Sequence, residues 1–436
     1  PVTAISLKLR LWAVEVLAVH AESELTGYGR SQSSLRSMVL CQLALEGKLP
    51  EFSELDGTED WMGGRYPYLM GSAFLEWLKE RHENDDCLLH LWKRVTAKKE
   101  RSFQEAFQGV FQDDPEDLYD RFKAELTGEA LLLEAELEKD GIEEGATWEY
   151  LEGYIGQPAV SPDGTRVAYV HRQIDSPSRL IIRDVREFEE QKPDPALDDP
   201  DDVADLPSKP PSHKEIKSLS NRNGIFPEGP RWLSDGNSIL FHSRVKQANG
   251  DSRTDLFQWD LDTDRVKRIT NGESVCWADP IPGTRKAVCL YRENGLNALA
   301  LVNLDTGETR YLTSPEIKLT WQSPRVSPDG SSIAVIQRQN HLSKMSLVTI
   351  ETRDVKFVYG GDREVILNPA WSKDGETLYF CSDKTGSLNV VSLNTSNEEV
   401  AFLSRSIAGL MSPEPLGSDE LLVIKVHSKG MNLNLM

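Results

Sequence analysis

Residues 159–170 read AVSPDGTRVAYV: a short strand, a tight Asp-Gly turn and a second strand of alternating character. The same plan recurs clearly in three stretches and more weakly in two: RWLSDGNSILFH (231–242), RVSPDGSSIAVI (325–336), AWSKDGETLYFC (370–381), ADPIPGTRKAVCLY (278–291) and LGSDELLVIKV (416–426). Asp-Gly supplies the positive φ angle that a tight β-hairpin requires. The second half of the chain is therefore built from a repeated β-hairpin.

The length of this repeat indicates the architecture. The turn glycines of five copies are 72, 47, 47 and 45 residues apart, at Gly164, Gly236, Gly283, Gly330 and Gly375. Each copy continues into a second hairpin, and four antiparallel strands about every 45 residues are typical of a β-propeller blade. We predict a propeller of about six blades over residues 146–436. Its last blade is predicted to be truncated, closing through residues 147–155 or through chain beyond Met436.

Residues 1–145 have a helical period instead. Apolar residues recur at helical spacing in six segments, predicted as helices over 7–25, 33–46, 67–82, 86–98, 102–111 and 115–139. Gly71 lies inside one of them, where glycine costs up to about 1 kcal/mol relative to alanine, so we expect close packing there. The predicted fold class is α plus all-β: a helical domain over 1–145 followed by the propeller.

One stretch interrupts the first blade. Residues 187–213, EFEEQKPDPALDDPDDVADLPSKPPSH, are rich in proline and acidic residues and cannot bury a core of their own. We predict a solvated, mobile loop, and its place at the propeller rim leaves open a role as a lid or docking arm.

Bulk composition excludes some partners and leaves others open. The formal net charge of −21 over 436 residues opposes binding to nucleic acid or to anionic lipid, because both would be repelled. No apolar run reaches the roughly 20 residues of a membrane-spanning helix. The five cysteines are scattered and are predicted to be buried structural thiols. Helical periodicity at Pro1 and a strand pattern at Met436 predict that both ends are cut from a longer protein.

A carboxylate stands among apolar residues in LWAVEVLAVHAESEL, residues 11–25. The helix neighbours of Glu15 at three and four residues are Leu11, Trp12, Ala18 and Val19, all of them apolar. A carboxylate on a packed helix face is costly unless something pairs with it. A metal ion, an arginine or a helix N-terminus would each serve as the partner.

The blades resemble those of a known group of proteins. SPDG followed by an alternating strand, and then LDTGETRYLT, is similar to the TolB-like and WD-repeat-like propellers of bacterial envelope proteins. The resemblance implies a protein or peptide partner bound at the propeller rim, and a location in the cell envelope, periplasm or outside the cell. Related propellers precede the hydrolase domain of prolyl oligopeptidase-like enzymes, but no GxSxG nucleophile motif occurs in this chain.

The helical half resembles a second family. LWAVEVLAVHAE is similar to the W-x-x-E-G-L-A-x-Y-x-E helix of gluzincin metallopeptidases of the peptidase MA group, and YPYLMGSAFLEWLKERH, RSFQEAFQGVF and PEDLYDRF follow in the family's order. In that family an HExxH helix supplies two zinc ligands and the general base, and a glutamate on a later helix is the third ligand. By position, the resemblance implies that Glu15 is this metal ligand.

The chain departs from that pattern at three points. Val16 stands in place of its glycine, His20 in place of its aromatic residue, and HExxH is absent. The resemblance therefore implies zinc in a longer protein and none held by this chain alone, with no catalytic and no further cofactor-binding residue assigned here. Whether the chain belongs to an enzyme is left open. The hypotheses are a metallopeptidase fragment with a substrate-filtering or docking propeller, and a non-enzymatic TolB-like envelope scaffold.

Overall fold

The computed structural model describes residues 10–26, 29, 33–57, 61–82, 86–174, 176–189, 211–221, 224–340, 342–361 and 363–436. The chain divides into two compact units: Pro1–Ile142 with Val426–Lys429, and Glu143–Lys425 with Gly430–Met436. The first is a helical unit and the second is a six-bladed β-propeller, as the sequence predicts.

Each predicted helix is present in the helical unit. Its described residues form six α-helices: α1 Leu11–Thr26, α2 Ser34–Leu45, α3 Ser72–His82, α4 Cys87–Val95, α5 Phe103–Phe111 and α6 Pro115–Asp140. The segment predicted as one helix over 67–82 is divided, because a π-helical turn covers Pro67–Gly71 before α3 begins. Short 3-10 helices cover Phe52–Asp56 and Gly63–Arg65. Predicted positions 7–9 lie outside the described residues.

The helix ends follow from local chemistry. The Asp114 carboxylate accepts a hydrogen bond from the backbone N–H of Glu116 at 2.9 Å, with Pro115 in the first turn of α6. The N-terminus of α1 is capped by Asp56, a residue distant in the sequence. Its carboxylate accepts a hydrogen bond from the Trp12 backbone N–H at 3.0 Å and contacts Arg10 at 3.1 Å. A carboxylate at a helix N-terminus satisfies free donors and suits the helix dipole.

The core of the helical unit is aromatic. The Trp12 ring lies 5.8 Å from Phe74, which contacts Tyr119 edge-on at 5.2 Å. The predicted close approach at Gly71 is confirmed, since a Cβ atom there would lie 2.8 Å from a methyl group of Val16. Glycine is therefore needed where the π-helical turn meets α1.

The propeller unit contains six sheets among its described residues, and each sheet is one blade. From the innermost strand outward, the first blade contains β2 Tyr154–Ile155 with β3 Ala159–Val160, then β4 Arg166–Arg172, β5 Arg179–Phe188 and β6 His213–Ser220. The second blade contains β7 Glu228–Trp232, β8 Ser238–Lys246, β9 Ser252–Asp260 and β10 Arg265–Arg268. The third blade contains β11 Val275–Pro280, β12 Lys286–Glu293, β13 Leu296–Asn303 and β14 Thr309–Tyr311. The fourth blade contains β15 Leu319–Val326, β16 Ser332–Gln339, β17 Leu342–Thr349 and β18 Val355–Gly360. The fifth blade contains β19 Ile366–Trp371, β20 Thr377–Ser382, β21 Asn389–Asn394 and β22 Val400–Phe402. The sixth blade contains β23 Leu410–Pro415, β24 Leu421–His427 and β25 Gly430–Leu435, with β1 Ala146–Glu149 outermost.

The sixth blade closes through the first of the two predicted routes, with a strand from the start of the unit. It has four strands rather than a truncated set, because β1 pairs antiparallel with β25, matching Ala146 to Leu435 and Thr147 to Asn434. A strand from the start of the unit thus completes the blade made by its end. The innermost strands contact their neighbours in sequence, and β23 contacts β3, so the ring is closed.

The predicted insertion is only partly within the described chain. β5 continues to Phe188 and β6 begins at His213, and these two residues pair across the strands. Both strands therefore reach into the stretch predicted as a loop over 187–213. Residues 190–210, on which the mobile-loop and docking-arm predictions mainly fall, lie outside the described residues.

Candidate functional site

An irregularity recurs in the innermost strand of every blade. Five of these strands shift register at a β-bulge, and in each the bulge holds a residue with φ between +50° and +58°: Gly229, Trp277, Ser323, Asn368 and Ser412. In the first blade the corresponding strand is broken between β2 and β3. A left-handed conformation is uncommon for residues other than glycine, so four such residues at one structural position mark a built-in feature.

Proline explains much of this bulge. In four of the five bulged strands a proline directly follows the left-handed residue: Pro230, Pro324, Pro369 and Pro413. Proline has no N–H to donate to the strand ladder and is therefore confined to strand edges and bulges. The residue after it occupies one equivalent position in all blades, which we call the channel ring: Ala159, Arg231, Asp279, Arg325, Ala370 and Glu414.

Four charged side chains of the channel ring meet at the propeller centre. The Nη1 and Nη2 atoms of Arg325 donate to the two oxygens of Glu414 at 2.9 and 3.3 Å. Asp279 lies between both arginines, 3.4 Å from Nε of Arg231 and 3.7 Å from Nε of Arg325. Three of the four residues are buried and Arg325 is nearly so. The cluster joins blades two, three, four and six and has no net charge.

Burial and mutual repulsion act on these groups together. Burial, and then the neighbouring Arg325, lowers the pKa of Arg231 to about 10, which leaves it charged at neutral pH. Burial also raises the pKa of Asp279, against the opposing effect of the two arginines. For Arg325, burial is outweighed by the carboxylates of Glu414 and Asp279, so its pKa is raised. Burial and the mutual charges of the ion pairs account for all three shifts.

A small cavity of about 10 Å³ adjoins the cluster. Its lining includes Gln157, Arg231, Trp277, Ser323 and Arg325 together with glycine, alanine and proline residues of the bulges, and neither acidic residue of the cluster belongs to it. Trp277 and Ser323 are partly exposed, so the cavity is not sealed. Both arginines in the wall are already paired with Asp279 or Glu414, so the cavity adjoins a cluster without net charge.

A second polar group lies where the innermost strands of the first two blades begin. Glu228 binds Arg172 of the neighbouring blade and lies 3.6 Å from Nε2 of His242. Hydrogen bonding to His242, opposed by burial and aided by Arg172, lowers the pKa of Glu228 to about 2. Burial lowers the pKa of His242, whose Nδ1 accepts the backbone N–H of Trp277 at 3.4 Å. A neutral imidazole with this tautomer donates from Nε2 to Glu228.

Exposed apolar side chains surround this polar group. Tyr154 and Phe226 occupy one equivalent position in neighbouring blades, five residues before the channel ring, and are 37% and 46% exposed. The Arg172 guanidinium lies over the Tyr154 ring at 5.8 Å from its centroid, and Ile174, 52% exposed, follows two residues later. We call Tyr154, Arg172, Ile174 and Phe226 the entrance patch.

The predicted metal ligand lies elsewhere, in the helical unit. Glu15 is half-buried on α1, and of its four helix neighbours Trp12 and Val19 are buried whereas Leu11 and Ala18 are exposed. Glu15 is thus at the border of the packed face, not within it as the sequence implied. No hydrogen bond or ion pair involves its side chain among the described residues.

The described residues do not complete a zinc site around Glu15. Zinc in proteins takes three or four ligands. No group of three His, Cys, Asp or Glu side chains suited to a metal occurs within the described part of the chain. The zinc assignment therefore stays a prediction.

Two residue types that repeat in the blades have structural roles. The turn aspartates cap their own hairpins, as when Asp163 accepts Ser161 Oγ at 2.5 Å and the Thr165 N–H at 3.0 Å. The blade tryptophans serve packing: the indole N–H of Trp232 donates to Ala159 O of the preceding blade, and that of Trp371 to Arg325 O, at 2.9 and 3.0 Å. Four of the five cysteines are buried and all five are free thiols, with Cys41 partly exposed.

The channel ring escaped the sequence reasoning. Its signal is present in GPRW, SPRV, NPAW and SPEP, where a residue with a polar or small side chain follows a repeated proline inside a strand. The aspartates of the Asp-Gly turns are evident in the sequence because the same residue repeats. The channel residues differ from blade to blade, so only the recurring proline points to their shared position.

Comparison with known proteins yields likenesses of fold. No known family profile and no curated protein matches this sequence. TolB from Acinetobacter baumannii is 20% identical with a TM-score of 0.44, over 60% of this chain and 56% of that one. A putative TolB from Agrobacterium tumefaciens is 13% identical with a TM-score of 0.45, over 65% of this chain and 90% of that one. A prolyl endopeptidase is 12% identical with a TM-score of 0.42, over 68% of this chain and 42% of that one. The match thus spans little more than half of the first and less than half of the last.

None of the described helices combines the length and apolar character required to cross a membrane.

Proposed function

We propose that the propeller unit is a protein-docking platform and that its partner binds at the entrance patch. The observation that carries the proposal is the exposure of two aromatic rings and an isoleucine around an Arg172–Glu228 ion pair, next to the channel. Tyrosine, phenylalanine and arginine are enriched in protein interfaces. Scattered single apolar residues need no explanation, but a group of them at equivalent positions of adjoining blades does.

The patch has the anatomy of a binding surface. Tyr154 lies on β2, whereas Ile174 lies two residues after β4 and Phe226 two residues before β7. The guanidinium of Arg172 is held between the Tyr154 ring and the Glu228 carboxylate, which directs it for recognition of a partner. Gly229, beside Glu228, already lines the channel cavity, so the patch continues into the channel.

A defined peptide library displayed on phage tests this proposal on the full chain. Enriched peptides are synthesised, and their affinities are measured by fluorescence anisotropy for wild type, Tyr154→Ala and Phe226→Ala. We expect each substitution to weaken binding at least about tenfold, as for a buried aromatic anchor. Phe357→Ala is the matched control, because Phe357 is 53% exposed but lies on the outermost strand of the fourth blade. Peptides that bind all four proteins equally would contradict docking at the patch.

A second proposal concerns the helical unit. We infer that it contributes Glu15 as one ligand of a zinc site in a larger metallopeptidase-like protein. The support is the W-x-x-E pattern of α1 and a half-buried carboxylate without a hydrogen bond or ion pair among the described residues. The remaining ligands and the general base would come from an HExxH helix upstream of Pro1. In that protein the propeller would filter or dock substrates.

Zinc stoichiometry tests the second proposal. In a protein that includes the upstream segment, we expect one tightly bound zinc per chain, lost in Glu15→Gln and kept in Glu22→Gln, seven residues on along the same helix. The present chain alone should bind no zinc tightly. One-to-one binding by this chain that disappears only in His20 or His82 variants would contradict the assignment, as would the absence of HExxH upstream.

We also propose a location in the cell envelope or outside the cell. The support is the resemblance of the SPDG repeats to those of envelope propellers. Fractionation of cells that express the complete gene product tests this, and recovery wholly with cytoplasmic markers would contradict it.

A further inference from the structure

The second strand of each blade has an equivalent position near its end, four residues after the residue that pairs with the channel ring. In four successive blades this position is arginine, on strands β4, β8, β12 and β16: Arg172, Arg244, Arg292 and Arg338. We call these four residues the arginine arc. The second strand runs antiparallel to the innermost one, so its end lies beside the start of that strand, on the side of the entrance patch.

A carboxylate neutralises the first arginine of the arc. Arg172 binds Glu228, which lies three positions before the channel ring in the next blade. The three following blades hold uncharged residues at the position equivalent to Glu228: Cys276, Gln322 and Leu367. The acid that pairs with Arg172 is therefore not repeated for the rest of the arc.

The other three arginines are exposed. Within the part of the chain that the structure describes, the side chains of Arg244, Arg292 and Arg338 form no hydrogen bond or ion pair. Glu293 follows Arg292, but consecutive residues of a strand point to opposite faces, and the Glu293 carboxylate accepts the Tyr311 hydroxyl at 2.9 Å. The arc thus presents three guanidinium groups without a paired acid, on a chain whose net charge is −21.

We propose that the arginine arc binds the carboxylates of an acidic polypeptide segment that docks at the entrance patch. The inference rests on the proposed docking function and specifies the chemistry of the partner. A guanidinium matches the planar geometry of a carboxylate, and clusters of arginine are a recurring means of recognising acidic motifs. Arg172 belongs to both the arc and the patch, so a single partner contacts both.

The patch and the overall charge favour a short polypeptide over other polyanions. Ile174 and Phe226, 52% and 46% exposed, offer contacts for apolar side chains, which a nucleic acid or an acidic polysaccharide does not have. The net charge of −21 repels a long polyanion along its whole length. A short segment responds mainly to the nearby arginines, because salt screens exposed charges beyond about 10 Å.

Fluorescence anisotropy with the full chain tests the inference. The probe is a short labelled peptide that alternates glutamate with phenylalanine and leucine, and its counterpart has glutamine in place of every glutamate. We expect Arg244→Gln and Arg292→Gln each to weaken binding of the glutamate peptide about threefold, and the double variant about tenfold. Binding of the glutamine peptide should not change. Arg265→Gln is the matched control, because Arg265 is exposed without an ion pair among the described residues but begins the outermost strand of the second blade.

The outcomes separate the arc from docking itself. Equal binding of the two peptides, with Phe226→Ala weakening both, overturns the inference and leaves docking at the patch intact. Loss of affinity in the arginine variants but not in Phe226→Ala overturns docking at the patch. Tighter binding of a labelled single-stranded DNA of equal length, lost in the same arginine variants, overturns the choice of a polypeptide. Absence of binding by the glutamate peptide also overturns the inference, and the peptide library then decides on docking independently.

Discussion

The hairpin turn of a blade and the channel-ring position just before it obey opposite rules. In four of the six blades the same residue occupies the turn: Asp163, Asp235, Asp329 and Asp374 each accept backbone N–H groups of their own hairpin. At the channel-ring position, a few residues earlier in the chain, the backbone recurs but the side chain does not, since alanine, arginine, aspartate and glutamate share that position. The turn aspartate repeats because each of these hairpins uses it in the same structural role. The channel-ring side chain differs between blades because the shared backbone does not require one particular residue.

The largest test of this contrast is Arg325→Met in the channel ring. Removing one partner leaves Glu414 and Asp279 buried without their main counter-charge, and we expect a loss of about 3–5 kcal/mol in the free energy of unfolding. Denaturation by urea measures it. The double variant Arg325→Met, Glu414→Leu should recover most of the loss, because no unpaired charge then remains. A single-variant loss below about 1 kcal/mol would show that solvent already screens the cluster.

Closure of the ring gives the next largest effect. A Cβ atom at Gly430 would collide with the backbone of Gly153, where the strand β25 bridges to the first blade. We expect Gly430→Ala to cost about 1–3 kcal/mol through overpacking. Gly417→Ala in the same blade is the control, since its nearest atom is a flexible Glu420 side chain at 3.5 Å. Equal thermal midpoints for the two variants would mean that the ring closes without this contact.

The turn aspartates should give smaller and mutually equal effects. We expect Asp163→Ala and Asp374→Ala each to cost about 1 kcal/mol at pH 7, because each loses hydrogen bonds from a serine hydroxyl and from the backbone. The serine bond lowers the pKa of Asp163 to about 2, so this stability is present above pH 3.8 and is lost as the pH falls toward 2. Clearly unequal losses at pH 7 would contradict a shared structural role.

The smallest effect concerns acid sensitivity at His242. Its folded pKa lies below 6.5 because of burial, so the unfolded chain takes up the proton first and stability falls as the pH drops below 6.5. Leu290, Ile336 and Ile424 hold the equivalent position in other blades. We therefore expect the thermal midpoint of His242→Leu to depend less on pH between pH 8 and 5 than that of the wild type. An unchanged slope would show that the proton is taken up elsewhere.

The sequence predicted much of the fold and little of the channel site. The Asp-Gly turns and the period of about 45 residues predicted the blades because a hairpin turn is a local property of two or three residues. Six helices followed from apolar spacing in the same way. Glu15 shows the limit of such reasoning. Its four apolar neighbours in the chain implied burial, but Leu11 and Ala18 turn toward solvent because only one side of α1 meets the core.

Local chemistry in the chain thus determined the repeat, the turns and the helices, and tertiary structure decided everything that requires distant residues to meet. Pairing of Ala146 with Leu435 closes a ring across nearly 300 residues, which neither strand specifies alone. Arg325 and Glu414 lie 89 positions apart and are joined only because each bulge turns one side chain toward the centre of the ring. Sequence periodicity reports the neighbours of a residue along its own strand, whereas a central channel is made of side chains contributed by different blades.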